Sequence, residues 1–198
     1  MITRDDVTHL LRALADGPAS ALRAVDLAAG VARARLVLRG AEILGRPYVG
    51  GRLVVDLRGD LTVGHGVFFF GGPIPSAIVC RPGARVILGE DTQLNYGVSL
   101  EAACAVRIGR RCRIGSLVHI ADASRDRVAE IVVGDDVWIA HGAILEPGAR
   151  VGNGSAVSAG SVVTGEIPPG CLAIGNPARA VQLATVSGAS NQGVQLPP

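Results

Sequence analysis

The strongest constraint in this chain is a period of six. Aliphatic residues recur at Leu88, Leu94, Leu100, Ile108, Ile114, Ile120, Val133, Ile139, Leu145, Val151, Val157 and Val163, often followed by Gly as in Ile108-Gly109 and Val133-Gly134. Four residues into most units sits a small or β-branched residue: Thr92, Val98, Cys104, Cys112, Val118, Val137, Ala143, Ala149, Ser155 and Ser161. Such a unit is one short strand plus one turn. Strand alternation turns both residues inward. Three units close a triangular coil of eighteen residues, and stacked coils make a parallel β-helix.

The interruptions test this register. Leu100 to Ile108 is eight residues and Ile120 to Val133 is thirteen. Pro82-Gly83-Ala84-Arg85-Val86 returns as Pro147-Gly148-Ala149-Arg150-Val151, 65 residues later. Three coils plus the insertions account for that offset. All insertions therefore fall at one corner, just before the first unit of a coil. The longest, Ala121 to Val132, is expected to be an extruded loop and a carrier of function.

Composition agrees with a narrow prism. Gly supplies 27 of 198 residues, aromatics are 3% and hydrophobic residues are 48%. The interior is expected to be aliphatic, with no room for rings. That hydrophobic fraction excludes a disordered chain, and Gly without a three-residue period excludes collagen. A net charge of +2 supplies no basic sheet for nucleic acid. All 19 basic residues are Arg. No apolar run approaches the ~20 residues of a membrane span. The polar start Met1 to Asp6 lacks the apolar stretch of a signal peptide, so a cytoplasmic location is expected. Cys80, Cys104, Cys112 and Cys171 show no CxxC spacing, so neither a zinc site nor a disulfide framework is expected.

Three segments are predicted. Residues 1–35 form a helical segment, in which the capping box Thr3-Arg4-Asp5-Asp6 precedes Val7, Leu10, Leu11 and Leu14 at helical spacing. Gly17-Pro18 breaks that helix and Ser20 starts a second. Residues 36–181 form the β-helix, with nothing helical before the stretch after Pro177. Residues 182–198 form a Ser/Gln/Gly/Pro-rich tail.

Certain stretches are more specific than the period. They are Val133-Gly134-Asp135-Asp136-Val137-Trp138-Ile139-Ala140, Leu145-Glu146-Pro147-Gly148, Ser158-Ala159-Gly160-Ser161-Val162-Val163-Thr164, Ile167-Pro168-Pro169 and Gly175-Asn176-Pro177-Ala178-Arg179. Leu94-Asn95-Tyr96-Gly97-Val98-Ser99-Leu100 joins them. Over residues 80–181 the chain resembles the hexapeptide-repeat acyltransferases, which include galactoside, maltose and capsule O-acetyltransferases. The resemblance implies a left-handed parallel β-helix assembled as a homotrimer. Between subunits, acetyl-CoA or another acyl-CoA would meet a hydroxyl or amine of a small or glycan acceptor. No metal is implied.

The chemistry requires a general base for the acceptor. The family places a histidine on the extruded loop, at positions matching Arg125 and Asp126. Here the loop reads Ile120-Ala121-Asp122-Ala123-Ser124-Arg125-Asp126-Arg127, without His. Three candidates for the base follow. His119 points outward on the strand before the loop. His141 matches a family position lining the pantetheine arm of CoA. Asp126 stands at the family's base position, in a loop whose alternating Asp and Arg read as solvated ion pairs. Asn95 matches a residue that orients the acceptor. Trp138, Ala159, Gly160, Thr164 and Arg179 match cofactor-side positions, and guanidinium suits phosphate. His65 repeats the local pattern of His141 on an early coil, and His9 falls on the first predicted helix. Phe68-Phe69-Phe70, with Gly71-Gly72-Pro73, is expected to cap the first coil or to line an acceptor pocket. The alternative function is a catalytically silent binding or scaffolding trimer, because the loop histidine is missing.

Overall fold

In the computed structural model, which describes residues 18–182, the period of six becomes a parallel β-solenoid behind one helix. Helix α1 (Pro18–Val37) packs against the first coils. The predicted helix over Val7 to Leu14, with His9, and the tail beyond Gln182 lie outside the described residues. Downstream of α1 the strands take the three faces of a prism in strict rotation.

The first face stacks β1 (Glu42–Ile43), β4 (Asp60–Val63), β7 (Arg85–Leu88), β10 (Ala105–Ile108), β13 (Ile131–Val133), β16 (Arg150–Val151) and β19 (Glu166–Ile167). The second stacks β2 (Tyr48–Val49), β5 (Phe68–Phe69), β8 (Gln93–Leu94), β11 (Arg113–Ile114), β14 (Trp138–Ile139), β17 (Ala156–Val157), β20 (Cys171–Gly175) and β21 (Ala178–Gln182). The third stacks β3 (Leu53–Leu57), β6 (Ser76–Cys80), β9 (Ser99–Ala102), β12 (His119–Ala121), β15 (Ile144–Leu145) and β18 (Val162–Val163). Every neighbouring pair is parallel except β20 with β21, so the stretch after Pro177 is an antiparallel strand.

The repeat positions point inward as the alternation requires. Leu88, Leu94, Leu100, Ile108, Ile114, Ile120, Ile139 and Leu145 are all buried, and so are Thr92, Val98, Cys112, Val118 and Ser155. Two expectations fail. Cys104 is exposed, because it lies in the two-residue insertion after Leu100, where the chain swings out to meet a carboxylate described below. Phe69 is buried at 2% exposure, in line with Val49 and Leu94. The early prism accommodates one ring, so only Phe68 and Phe70 of the triplet lie outside it.

The three corners differ. At the corner from first to second face, one turn position has positive φ on every coil from the second: Gly66, Asp91, Arg111, Asp136, Gly154 and Gly170. At the corner returning from third to first face lie the insertions expected from the sequence, including the loop after β12. The corner from second to third face repeats at six residues from Val49 to Val55 and from Leu94 to Leu100. Between the equivalent Phe69 and Ile78 it spends nine. Three extra residues there widen the second coil beside Phe70-Gly71-Gly72, upstream of the stretch where the sequence register begins.

Candidate active site

The second-to-third corner collects the polar side chains of greatest chemical interest. Backbone bonds stack its turns in order: Leu117 N–H donates to Tyr96 O at 3.1 Å, Gly142 N–H to Ser116 O at 2.9 Å, and Gly160 N–H to His141 O at 2.9 Å. Tyr96, Ser116, His141 and Ala159 therefore occupy one position on successive coils. His141 is exposed, and its Nδ1 lies 2.9 Å from Ser116 Oγ. If Nδ1–H donates to the hydroxyl, the outward Nε2 keeps its lone pair and can accept a proton.

The other candidates for the base stand apart from it. His119 is half-buried on the outer surface of the third face, between Ser99 and Ile144. Asp126 is exposed on the loop at the opposite edge of that face. Asn95 belongs to the same corner as His141, two coils earlier. Its Oδ1 accepts Tyr96 N–H at 2.8 Å and its carbonyl accepts Ser76 Oγ–H at 3.1 Å. His65 lies on the first-to-second corner, where Asp91 N–H donates to its carbonyl.

The loop does not hold a simple row of solvated ion pairs. Asp122 is fully buried, and its carboxylate accepts the N–H groups of Ala103 at 2.6 Å and Cys104 at 2.8 Å. This is the carboxylate toward which the Cys104 turn swings. Beyond it the loop folds on itself: Ser124 N–H donates to Arg127 O, Ala129 N–H to Asp122 O, and Ala123 bridges Val128. Arg125, Asp126 and Arg127 remain exposed.

The cofactor-side candidates spread over the later coils. Trp138 is 59% exposed on the second face, between Arg113 and Ala156. Ala159 and Gly160 form the exposed turn after His141 on the same corner. Gly160 has φ +67, and a Cβ there would meet nothing within 4 Å, so this turn has open space on its outer side. Thr164 is exposed at the far edge of the third face, and Arg179 is exposed on β21 opposite Ile174. Among the described residues no group of three His, Cys, Asp or Glu is placed to hold a metal, and no helix is long and apolar enough to cross a membrane.

Sequence reasoning passed over Ser116 and Leu117. Ser116 precedes His141 by 25 residues, one coil plus the seven extra residues of the loop, so the register contained the pairing. Leu117 has φ +58 and is 39% exposed, at the corner position that Gly97, Gly142 and Gly160 fill on other coils. Neither period nor composition marks a backbone angle.

Comparison with known proteins agrees with the repeats. Residues 130–165 match the bacterial transferase hexapeptide family, described as six repeats. A Schizosaccharomyces pombe protein provisionally named an acetyltransferase is 33% identical over 50% of this chain and 54% of its own length. The galactoside O-acetyltransferase of Escherichia coli is 27% identical over 50% of this chain and 55% of its own. The chain thus spans about half the length of the curated relatives it matches. The polySia-specific acetyltransferase NeuO shares the fold, with a TM-score of 0.55 and 20% identity over 78% of this chain and 79% of that one. The resemblance to hexapeptide-repeat acyltransferases holds in sequence and in fold.

Proposed function

We propose that this chain, similar as it is to the hexapeptide-repeat acetyltransferases, transfers an acyl group from acyl-CoA to a hydroxyl or amine of a small or glycan acceptor. The observation that carries the reading is the Ser116–His141 pair on an exposed corner. The missing loop histidine leaves the site with a base of a different origin. His141 takes the acceptor's proton at Nε2, while Ser116 holds Nδ1 and fixes the ring's orientation. Imidazole is the side chain most often used for such proton transfer.

The exposed residues of the later coils fit a thioester carrying a long anionic arm. Trp138 offers a ring face, Gly160 a turn with no side chain over it, and Thr164 a hydroxyl. Arg179 offers a guanidinium for phosphate in a chain without lysine. The thioester supplies the activated acyl group; the chain supplies the base, the orientation and the anion contacts. Asn95 and Tyr96, earlier on the same corner, face the acceptor side. Assembly as a homotrimer and a cytoplasmic setting complete the proposal, the first supported by the family likeness.

The test is acetyl-CoA binding by calorimetry together with turnover by thiol release against a panel of sugars and amines. His141→Ala is expected to lower turnover at least 100-fold with acetyl-CoA affinity unchanged, and Ser116→Ala to lower it several-fold and shift the pH profile. His119→Ala and Asp126→Asn are expected to retain turnover. Absence of acetyl-CoA binding by the unaltered chain sinks the reading. Sedimentation equilibrium at three times the monomer mass is expected.

A further inference from the structure

The widened second coil opens a recess of about 1020 Å³ between α1 and the second-to-third corner. Its wall is aromatic. Tyr48 stacks on Phe68 with ring centroids 4.1 Å apart, Phe68 meets Phe70 at 4.5 Å, and Phe70 is 43% exposed. Beneath it Gly50, Gly51, Gly71 and Gly72 line the recess and let the first two coils pack backbone against backbone. At Gly71 a Cβ would stand 2.8 Å from Gly50 O, and at Gly72 it would enter the Tyr96 ring. The space beside Phe70 is large enough for a pyranose ring.

The rim sets the charge of the occupant. Tyr48 O–H donates to Asp26 at 2.6 Å, so the one acidic group in the lining already has a partner. Arg33 reaches in from α1 and donates to Val49 O at 2.6 Å. Arg52 is exposed and has no ion pair among the described residues. Two guanidiniums against one engaged carboxylate leave the recess positive.

The recess also shares a line with the proposed base. Phe70-Gly71-Gly72, Tyr96, Ser116 and His141 follow one another on the same corner, one coil apart. Strands stack at about 4.8 Å, so three coil steps place the recess about 14 Å from His141 along the corner. Between them Leu117 and Ile74, the nearest neighbours to a Cβ at Gly97, add an apolar rail.

We infer that this recess binds a sugar unit of an extended, negatively charged glycan, whose reacting unit lies further along the same corner. A pyranose presents a C–H face to an aromatic ring and hydroxyls at its edges, which matches a wall of Phe rings with a polar rim. An acidic substituent would meet Arg52. The inference rests on the acyltransferase reading only for the reacting unit further along the corner; binding in the recess does not.

The test measures binding of tetrasaccharides by calorimetry, with galacturonate and hyaluronan tetramers as acidic probes and maltotetraose as the neutral control. At least one acidic tetramer is expected to bind ten-fold tighter than its monomer unit and tighter than maltotetraose. Phe70→Ala is expected to lose at least ten-fold, and Arg52→Gln to lose the preference for acid. Acetyl-CoA affinity is expected to stay unchanged in both variants. Failure of both acidic tetramers to exceed the neutral one, or Phe70→Ala binding normally, overturns the inference. A change of oligomeric state in Phe70→Ala overturns it too, since the ring then serves an interface. Transfer to monosaccharides with no length preference leaves the enzyme and removes the recess. Tetrasaccharide binding that depends on Phe70 in a chain that ignores acetyl-CoA does the reverse.

Discussion

Asp122 brings a carboxyl group into an interior built from aliphatic side chains, and two short backbone bonds hold it there. Removing the carboxyl leaves the part-buried N–H groups of Ala103 and Cys104 without their acceptor, at the low end of the roughly 1–3 kcal/mol of a buried group left unpaired. Asp122→Ala is therefore expected to lose about 2 kcal/mol in denaturant unfolding, and a loss under about 0.5 kcal/mol would contradict the anchoring role. Leu117 works in the other direction. A left-handed backbone costs a bulky residue roughly 1–2 kcal/mol, a strain that Asn tolerates far better. Leu117→Asn is expected to raise the melting temperature by a few degrees in thermal unfolding, and a lowered value would show that the strain is not what limits this corner. Neither residue was legible in the sequence. An Asp among alternating Asp and Arg reads as solvated, because nothing local reports that the chain turns inward. The register put Asn95 and His141 at corners, but the Ser116 hydroxyl 2.9 Å from His141 Nδ1 came to light only across stacked coils.

At the scale of elements, the strands were readable wherever an aliphatic residue and a small one alternated without interruption. The two coils before Leu88 fall within the predicted β-helix, but their register was hidden by a ring at the inward position Phe69 and by the three-residue widening. The assumption that rings are excluded failed at Phe69 because the inward position there has Val49 and Leu94 as neighbours on either side. The first-to-second corner adds a cross-coil charge ladder. Arg110 pairs with Asp135 at 3.0 Å, and Arg111 with Asp136 at 2.6 Å. The Arg110 backbone N–H and guanidinium hold the Asp135 carboxyl below its ordinary range, and Arg111 does the same for Asp136. Carboxyls with depressed folded pKa add stability that is present above about pH 4 and lost as pH falls through the folded values. The Asp135→Asn/Asp136→Asn variant is expected to melt below the parent at pH 7 in low salt. The gap should close by pH 2 and shrink in 1 M salt. An equal gap at both pH values would show that the ladder contributes no charge.

The whole molecule is a stack whose contacts run between neighbouring coils, with α1 over the first coils and the β20–β21 hairpin against the last. Its interior fixes the coil length, so variation collects at corners. The third-to-first corner takes the insertions that the sequence made visible, while the second-to-third corner is free of them from Leu94 to Leu145. Overall architecture was therefore the most legible level, since twelve units repeat one pattern. The division of labour among corners was not, because it depends on which positions face each other across coils.

That insertion-free corner turns the solenoid into a ruler graduated in whole coils. The recess and His141 can be separated only by integral coil steps of about 4.8 Å each, since a partial step would rotate one mark off the edge. Duplicating the coil Gly89–Ile108 without its two extra residues is expected to lengthen the preferred glycan by about one step, read as a shift in the tetramer-to-pentamer ratio of binding constants. Change in acceptor length would then come by counting coils rather than by reshaping either end.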